Sequence, residues 1–172
     1  MMMKPSSADV TLRPAEEADL PAILAIYNAV IATTTAVYSE APVTLEDRQA
    51  WLESKRRRGF PVIVAEVDGR VCGFGAFDDF RAWPCYRHTV EHSVHVDAAC
   101  RGRGVGRALV EALLVEARAR GLHRMIAGID ADNAVSIGLH RALGFTSAGV
   151  LTEVGRKFDR WLDLAFMQKA LD

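Results

Sequence analysis

The residues of this chain best suited to chemistry fall within one stretch, Thr89 to Ala108, which reads T-V-E-H-S-V-H-V-D-A-A-C-R-G-R-G-V-G-R-A. Near its start Glu91 offers a carboxylate that could accept a proton. Further on, Arg101-Gly102-Arg103-Gly104-Val105-Gly106 interleaves arginines with glycines, and Arg107 follows. Glycines let a backbone approach a ligand with no Cβ in the way, and guanidinium groups pair with phosphate. The flanks say what positions this loop. Before it, Val90, His92, Val94 and Val96 alternate with Glu91, Ser93 and His95, the period of a partly buried strand. After it, Val105, Ala108, Leu109, Ala112 and Leu113 form the one-sided stripe of a helix, which Gly121 can stop. A strand that turns through glycines into a helix leaves backbone N–H groups aimed outward at the positive end of the helix dipole. The stretch is an anion site, and a ligand carrying phosphates is expected.

Spacing separates the candidate ligands. A Walker A loop needs Gly-Lys followed by Ser or Thr, and here the corresponding residues are Gly106-Arg107-Ala108. A Rossmann fingerprint needs its third glycine three residues after the second and an acidic residue about twenty residues on. Here Gly102, Gly104 and Gly106 alternate, and Arg124 stands near the acidic place. What remains is R-x-x-G-x-G, carried by Arg101, Gly104 and Gly106.

The rest of the chain must build the strand and helix that hold this loop. Its 172 residues, 50% hydrophobic and 25% charged, suit a single domain over residues 1–172, with 1–9 flexible. A formal net charge of −1 gives no basic footprint for nucleic acid. Cys72, Cys85 and Cys100 are odd in number and lack metal-type spacing. There is no apolar leader at the start and no run of membrane-spanning length, so the chain reads as cytoplasmic. Val10 to Arg13 is a short strand. Asp19 is expected to cap a first helix carrying Leu20, Ile23, Leu24, Tyr27 and Val30, and Thr44 with Asp47 opens a second carrying Leu45, Trp51 and Leu52 to Gly59. Asp68-Gly69 is a hairpin turn between strands 62–67 and 71–80. Strand 125–129, a helix from the Asn133 cap to Gly144, and strands 146–154 and 160–168 follow. The order is βααβββαβαββ, a mixed α/β (α+β) sheet with helices on both faces.

The R-x-x-G-x-G loop resembles the acetyl-coenzyme A signature of the GNAT N-acetyltransferases. With T-V-E-H-S-V at 89–94, S-I-G-L-H-R-A-L-G-F at 136–145 and V-G-R-K-F-D-R-W-L-D-L at 154–164, the chain is similar to the phosphinothricin and methionine sulfoximine acetyltransferase branch. The resemblance covers nearly the whole chain. It implies a mixed, mostly antiparallel sheet of about seven strands with about four helices, acetyl-coenzyme A as cosubstrate, and a small amino acid or analogue as acceptor. It also implies roles: Glu91 as general base, the Val94 N–H as oxyanion donor, and His140 as an imidazolium acid for the departing thiolate. Val94, His95, Val96, residues Arg101 to Arg107 (Gly102, Arg103, Gly104, Val105 and Gly106 between), Asn133 and Ser136 would hold the cofactor. His95 stands where most relatives carry Tyr, and Asp159 where relatives commonly carry Gly. On the acceptor side Arg81 would bind a carboxylate, with Tyr38, Phe77, Phe80, Trp83, Thr89, Val90 and Glu91 around the substrate. Lys157, Phe158, Arg160 and Trp161 would lie near a homodimer contact.

A metal is not expected, because His88 and His92 share a strand face without a third ligand at a telling spacing. The cysteines lack a catalytic constellation, so direct transfer in a ternary complex is expected over an acetyl-cysteine. Three other readings stand beside the amino-acid acetyltransferase: acetylation of a protein N-terminus, of a polyamine, or a coenzyme A binding sensor without turnover.

Overall fold

The computed structural model describes residues 9–172; the expectation of a flexible start falls almost wholly on residues 1–8, outside them. Seven strands form one sheet in the order β1-β2-β3-β4-β5-β7-β6. They are β1 Thr11–Pro14, β2 Val62–Val67, β3 Arg70–Asp79, β4 Thr89–Val96, β5 Arg124–Asp130, β6 Thr146–Lys157 and β7 Arg160–Ala170. Every neighbouring pair is antiparallel except β4 with β5. Four helices flank it: α1 Leu20–Thr33, α2 Leu45–Arg57, α3 Val105–Ala119 and α4 Ala134–Ala142. This is the expected element order.

Alternation along the strands divides the core. On one face α1 and α2 press Leu20, Ile23, Ile26 and Leu52 against Val62, Val64, Phe74 and Ala76. On the other, the α3 stripe of Val105, Leu109, Val110 and Leu113 covers Ile63, Ala65, Phe77, Val90 and Met125. α3 sits close because β3 carries Gly73 and Gly75 beneath it. A Cβ at Gly73 would meet Val105 Cγ1 at 3.0 Å, and one at Gly75 would meet Leu113 Cδ1 at 3.0 Å. Leu109 and Leu113 are fully buried, so truncating either to Ala costs about 2–5 kcal/mol. The central strand and the helix after the glycine loop are thereby locked together.

Several local expectations hold. Thr44 and Asp47 form a reciprocal capping box at α2. Asp68 and Gly69 both take positive φ, 54° and 73°, in a tight hairpin turn. Asn133 Oδ1 accepts the Ser136 N–H at the start of α4. At the β6–β7 turn Phe158 and Asp159 both adopt positive φ, 52° and 57°, so Asp159 takes the backbone shape that Gly would favour.

Others need correction. Asp19 does not cap α1 with its side chain. Its carboxylate accepts both Arg13 Nη1 at 2.7 Å and Nη2 at 2.8 Å, together with the Glu16 N–H, at the end of a short 3-10 turn. Leu45 lies exposed, since its helix position faces away from the sheet. Cys72 and Cys100 are joined in a disulfide with Cα atoms 5.9 Å apart, which leaves Cys85 exposed as the free cysteine.

The loop between α1 and α2 is held from below by Lys157, whose residue is 1% exposed. Its ammonium donates to the carbonyls of Thr34 at 2.7 Å and Val37 at 2.8 Å. Thr35 adds a hydrogen bond from its hydroxyl to Asp130 on β5. Replacing Lys157 by Met leaves two enclosed carbonyls without a donor, at roughly 1–3 kcal/mol each. Lys157→Met is expected to lower Tm by about 5–15 °C. A melting curve superimposing on that of the parent protein would show that this clamp is not what holds the loop.

Candidate active site

β4 and β5 pair only at their starts, Thr89 with Arg124, Val90 with Met125 and Glu91 with Ile126. Beyond Glu91 they part, and the β5-facing edge of β4 has no strand partner. Unpaired backbone groups require a hydrogen-bonding guest. A cavity of about 750 Å³ occupies the opening. Its walls come from β4 (Glu91 to Val96), β5 (Ala127 to Asp130), the α1–α2 loop (Thr34 to Val37), α1 (Tyr27, Val30), α2 (Arg48, Trp51), the glycine loop (Arg101, Gly106) and α4 (Asn133, Ser136, Leu139, His140). A second, more apolar cavity of about 580 Å³ lies between β1, α2 and α3, and Glu91 and the glycine loop are not on its walls.

Glu91 is half-buried at the point where the strands separate. Burial pushes its carboxyl above the usual glutamate range, because a charge in a poorly hydrated place is disfavoured. Room for it comes from Gly128 on β5: a Cβ there would stand 2.8 Å from Glu91 Oε1.

At the far end, Gly102 and Gly104 take positive φ, 75° and 82°, and a Cβ on either would meet nothing within 4 Å. Gly104 is the N-cap of α3, and no side chain caps the helix. The first-turn N–H groups therefore face outward with the helix dipole behind them, which is the chemistry of a phosphate cradle. Arg101 lines the cavity, whereas Arg103 pairs with Asp68 at 3.0 Å and Arg107 with Glu111 at 3.0 Å on the surface. Val105 is buried in the core and serves the loop by anchoring the helix.

The histidines depart from expectation. His140 Nδ1 lies 2.7 Å from the Ser136 carbonyl oxygen, which can only accept, so Nδ1 carries the proton. His140 Nε2 then takes the bond from His92 Nε2 at 2.9 Å. Both rings are neutral: burial lowers the His140 pKa, and burial with the neighbouring rings pushes His92 down to about 3. His140 is thus not the standing imidazolium acid expected of it, since enclosure disfavours the charged form and both its nitrogens are engaged. His95 is also neutral, lowered to about 4 by burial and then by the Arg48 charge, and its ring packs on Tyr27 and Phe74.

The structure brings Glu91, Val94, His95, Val96, Arg101, Gly106, Asn133, Ser136 and His140 onto one cavity. Of the acceptor-side set it brings Glu91 there and leaves the others off the wall. Phe77 and Val90 are core residues, each 1% exposed, because their strand positions face α3. Thr89 sits at the start of β4, off the cavity wall. Tyr38 packs its ring over Gly155, where a Cβ would come within 2.6 Å, and bonds the Asp163 carbonyl. Arg81 and Trp83 are exposed on the β3–β4 loop, Arg81 lying 5.5 Å over the Phe80 ring, with Phe80 itself against Tyr86 and Phe166. Sequence reasoning missed Tyr27, Arg48, Trp51, Gly128 and Asp130. For Arg48 a signal existed: with Leu52 and Lys55 it puts a cation on the inward stripe of α2.

The match to the model of the acetyltransferase (GNAT) family spans residues 23–145. An L-methionine sulfoximine/L-methionine sulfone acetyltransferase of Pseudomonas aeruginosa is 51% identical over 163 residues, covering 94% of this chain and 95% of that protein. The yncA structure of Salmonella typhimurium, solved with its cofactor acetyl-CoA, superimposes with a TM-score of 0.92 at 47% identity, over 95% of this chain and 94% of that one. A ribosomal-protein-alanine N-acetyltransferase of Brucella melitensis gives 0.92 at 52% identity, over 93% and 99%. The family match covers most of the chain and these relatives are alike to it nearly from end to end, so the chain belongs to the GNAT acetyltransferase family.

Proposed function

We propose that the chain is an acetyl-coenzyme A dependent N-acetyltransferase acting on the α-amino group of a small amino acid or analogue, of the methionine sulfoximine, methionine sulfone or phosphinothricin type. The observation that carries this reading is the placing of Glu91 and the glycine cradle on one cavity, at the point where β4 and β5 part. The Pseudomonas relative supports the acceptor class.

Acetyl-coenzyme A would supply the acetyl thioester. The first turn of α3 and Arg101 would hold its phosphates, and the free edge of β4 from Val94 to Val96 would pair with its amide-bearing arm as a further strand would. Glu91 takes the ammonium proton, directly or through a water, and its raised pKa makes it a better base. The Val94 N–H donates to the carbonyl oxygen as charge gathers there. The new N–C bond forms as the C–S bond breaks, and the sulfur leaves as thiolate without a charged His140. Cys72 and Cys100 are bonded to each other and Cys85 is exposed off the cavity, which favours direct transfer. We also read the chain as a cytoplasmic homodimer serving detoxification, with exposed Val150, Leu151 and Val154 on the outer strand β6 as the surface a second copy would cover.

The Brucella relative favours a second reading, a protein N-terminus as acceptor. Thiol release with a panel of free amino acids, methionine sulfone, phosphinothricin, a polyamine and an alanine-started peptide separates these readings; release only with the peptide would move the acceptor class, and release with none would leave a coenzyme A sensor.

Glu91→Gln is expected to lose about 10²- to 10⁴-fold in kcat while still binding coenzyme A. A base must be ionised, so wild-type kcat/KM should fall as pH drops through the raised Glu91 pKa, and the variant should lack that limb; a limb that survives substitution assigns it elsewhere. Gly128→Ala, whose φ is ordinary, is expected to fold and keep its Tm within about 2 °C, since only the mobile end of Glu91 must move. Its kcat should nonetheless fall by roughly tenfold or more, the effect of about 1 Å of misplacement. Unchanged kcat would separate the Glu91 position from catalysis. Gly104→Asp, placing a carboxylate and a left-handed non-glycine residue in the cradle, should abolish the rise in Tm that a hundredfold excess of coenzyme A over its Kd produces, worth about 2.7 kcal/mol. A full shift in the folded variant would refute the cradle.

A further inference from the structure

One charge on the wall of the Glu91 cavity has no answer among the described residues. Arg48 lies one turn before Leu52 on the inward stripe of α2. Its guanidinium stands 4.5 Å over the Tyr27 ring and 5.0 Å over the Trp51 ring. Ring faces attract a cation but accept no proper hydrogen bond. Its Nε is buried and has no hydrogen-bond partner among the described residues. Burial lowers its pKa, a sign that its charge is partly stripped of water.

The other cations of this region are matched. Lys55, on the same stripe, donates to Asp78 and to the Phe77 carbonyl, each at 2.7 Å. Arg58 pairs with Asp78 and Asp79, and Arg160 with Asp130 and Asp132. Asp47, adjacent to Arg48 in sequence, is spent on the cap, accepting the Thr44 N–H at 2.8 Å. His95 beside it is neutral. The remaining cation on the cavity wall, Arg101, belongs to the phosphate cradle.

A cation held in an aromatic box without a carboxylate is costly by itself, and the cost is recovered when a ligand brings the anion. A zwitterionic acceptor has two poles, and Glu91 faces only the ammonium. We propose that Arg48 is the acceptor-binding cation: its guanidinium receives an oxygen-bearing group of the acceptor, the α-carboxylate or an oxygen of the side chain, while Tyr27, Trp51 and Phe74 cover the acceptor's apolar part. This rests on the amino-acid reading above, and it gives to Arg48 the role that the sequence pattern suggested for Arg81, whose guanidinium lies outside the cavity.

The test measures kcat/KM for three acceptors, methionine sulfone, its carboxamide and methionine, with wild type, Arg48→Met, Arg48→Lys and Arg81→Ala. Arg48→Met keeps most of the stem against the rings and should retain the coenzyme A-induced rise in Tm. It should lose about 10- to 100-fold on methionine sulfone, mainly through KM, because a charge-assisted contact to the acceptor is gone. If the contact is to the carboxylate, the loss should shrink on the carboxamide. If it is to the sulfone oxygens, the loss should persist on the carboxamide and shrink on methionine. Arg48→Lys, which keeps the charge without the planar fork, should fall between, and it carries the comparison should Arg48→Met fail to fold. Equal loss on all three acceptors, no loss, or an acceptor-selective loss seen in Arg81→Ala instead overturns the proposal while leaving the acetyltransferase reading intact. Wild-type protein that acetylates none of the three, yet acetylates the alanine-started peptide or nothing at all, overturns both.

Discussion

The site depends on a sheet that stops pairing with itself. β4 and β5 share three residue pairs and then diverge at Glu91, the last residue before the opening. Backbone groups that lose a strand partner inside a fold must be satisfied by something else, and the cost of leaving them bare is what makes the opening a binding site. The two strands can afford to part because each is held on its other side. β4 pairs with β3 over seven positions and β5 with β7 over seven. The gap is therefore walled by two rigid half-sheets, and a guest laid in it meets fixed donors and acceptors, the condition for preorganised catalysis.

Around that gap the chain sorts its ionisable groups by burial. Glu91, the carboxyl at the fork, is made more basic by its surroundings, whereas His92, His95 and His140 are held neutral. The directions are opposite because burial always penalises the charged form: it raises an acid and lowers an imidazole. The same burial that raises the Glu91 pKa thus disfavours the charged form of the histidines. The His92–His140 pair is better understood as a neutral strut, with its tautomers fixed by the Ser136 carbonyl, joining α4 to β4 on the cofactor side. Acetyl transfer from a thioester tolerates this arrangement, since a thiolate is a stable leaving group near neutral pH.

The fold was legible in the sequence because its signals are local. Period-two and period-3.6 stripes, the Asp68-Gly69 turn, the Thr44 box and the Asn133 cap each act within a few residues. The glycine loop was legible for the same reason, lying between one strand and one helix. The opposite wall of the cavity was not, for it is assembled from α1, α2, the loop between them and β5, segments far apart in sequence. Phe77 read as a substrate wall but faces α3, since period alone does not say which sheet face is the site. Arg81 drew attention as an arginine near the central strand, whereas Arg48 looked like one charge among several on a polar helix. Only packing shows that its buried Nε lacks a hydrogen-bond partner among the described residues. Cys72 and Cys100, separated by 28 residues, meet because β3 and the turn after β4 lie side by side.

The cavity wall opposite β4 has a further dependence that no single element reveals. Its loop, Thr34 to Val37, is tied to α1 by Thr34, whose hydroxyl donates to the Val30 carbonyl, and is also held by two groups of the sheet, Lys157 on the edge strand β6 and Asp130 on β5. Asp130 is in turn approached by Arg160 on β7, next to the left-handed turn at Phe158 and Asp159. The C-terminal hairpin thus acts on the cavity while lying outside its wall. Because β5 pairs with β7 through Asp130 and Leu164, any shift of that hairpin is transmitted both to the loop and to the strand carrying Gly128. The V-G-R-K-F-D-R-W-L-D-L segment then has a mechanical role: it fixes the distance between the Thr34 to Val37 wall and the strand against which Glu91 rests.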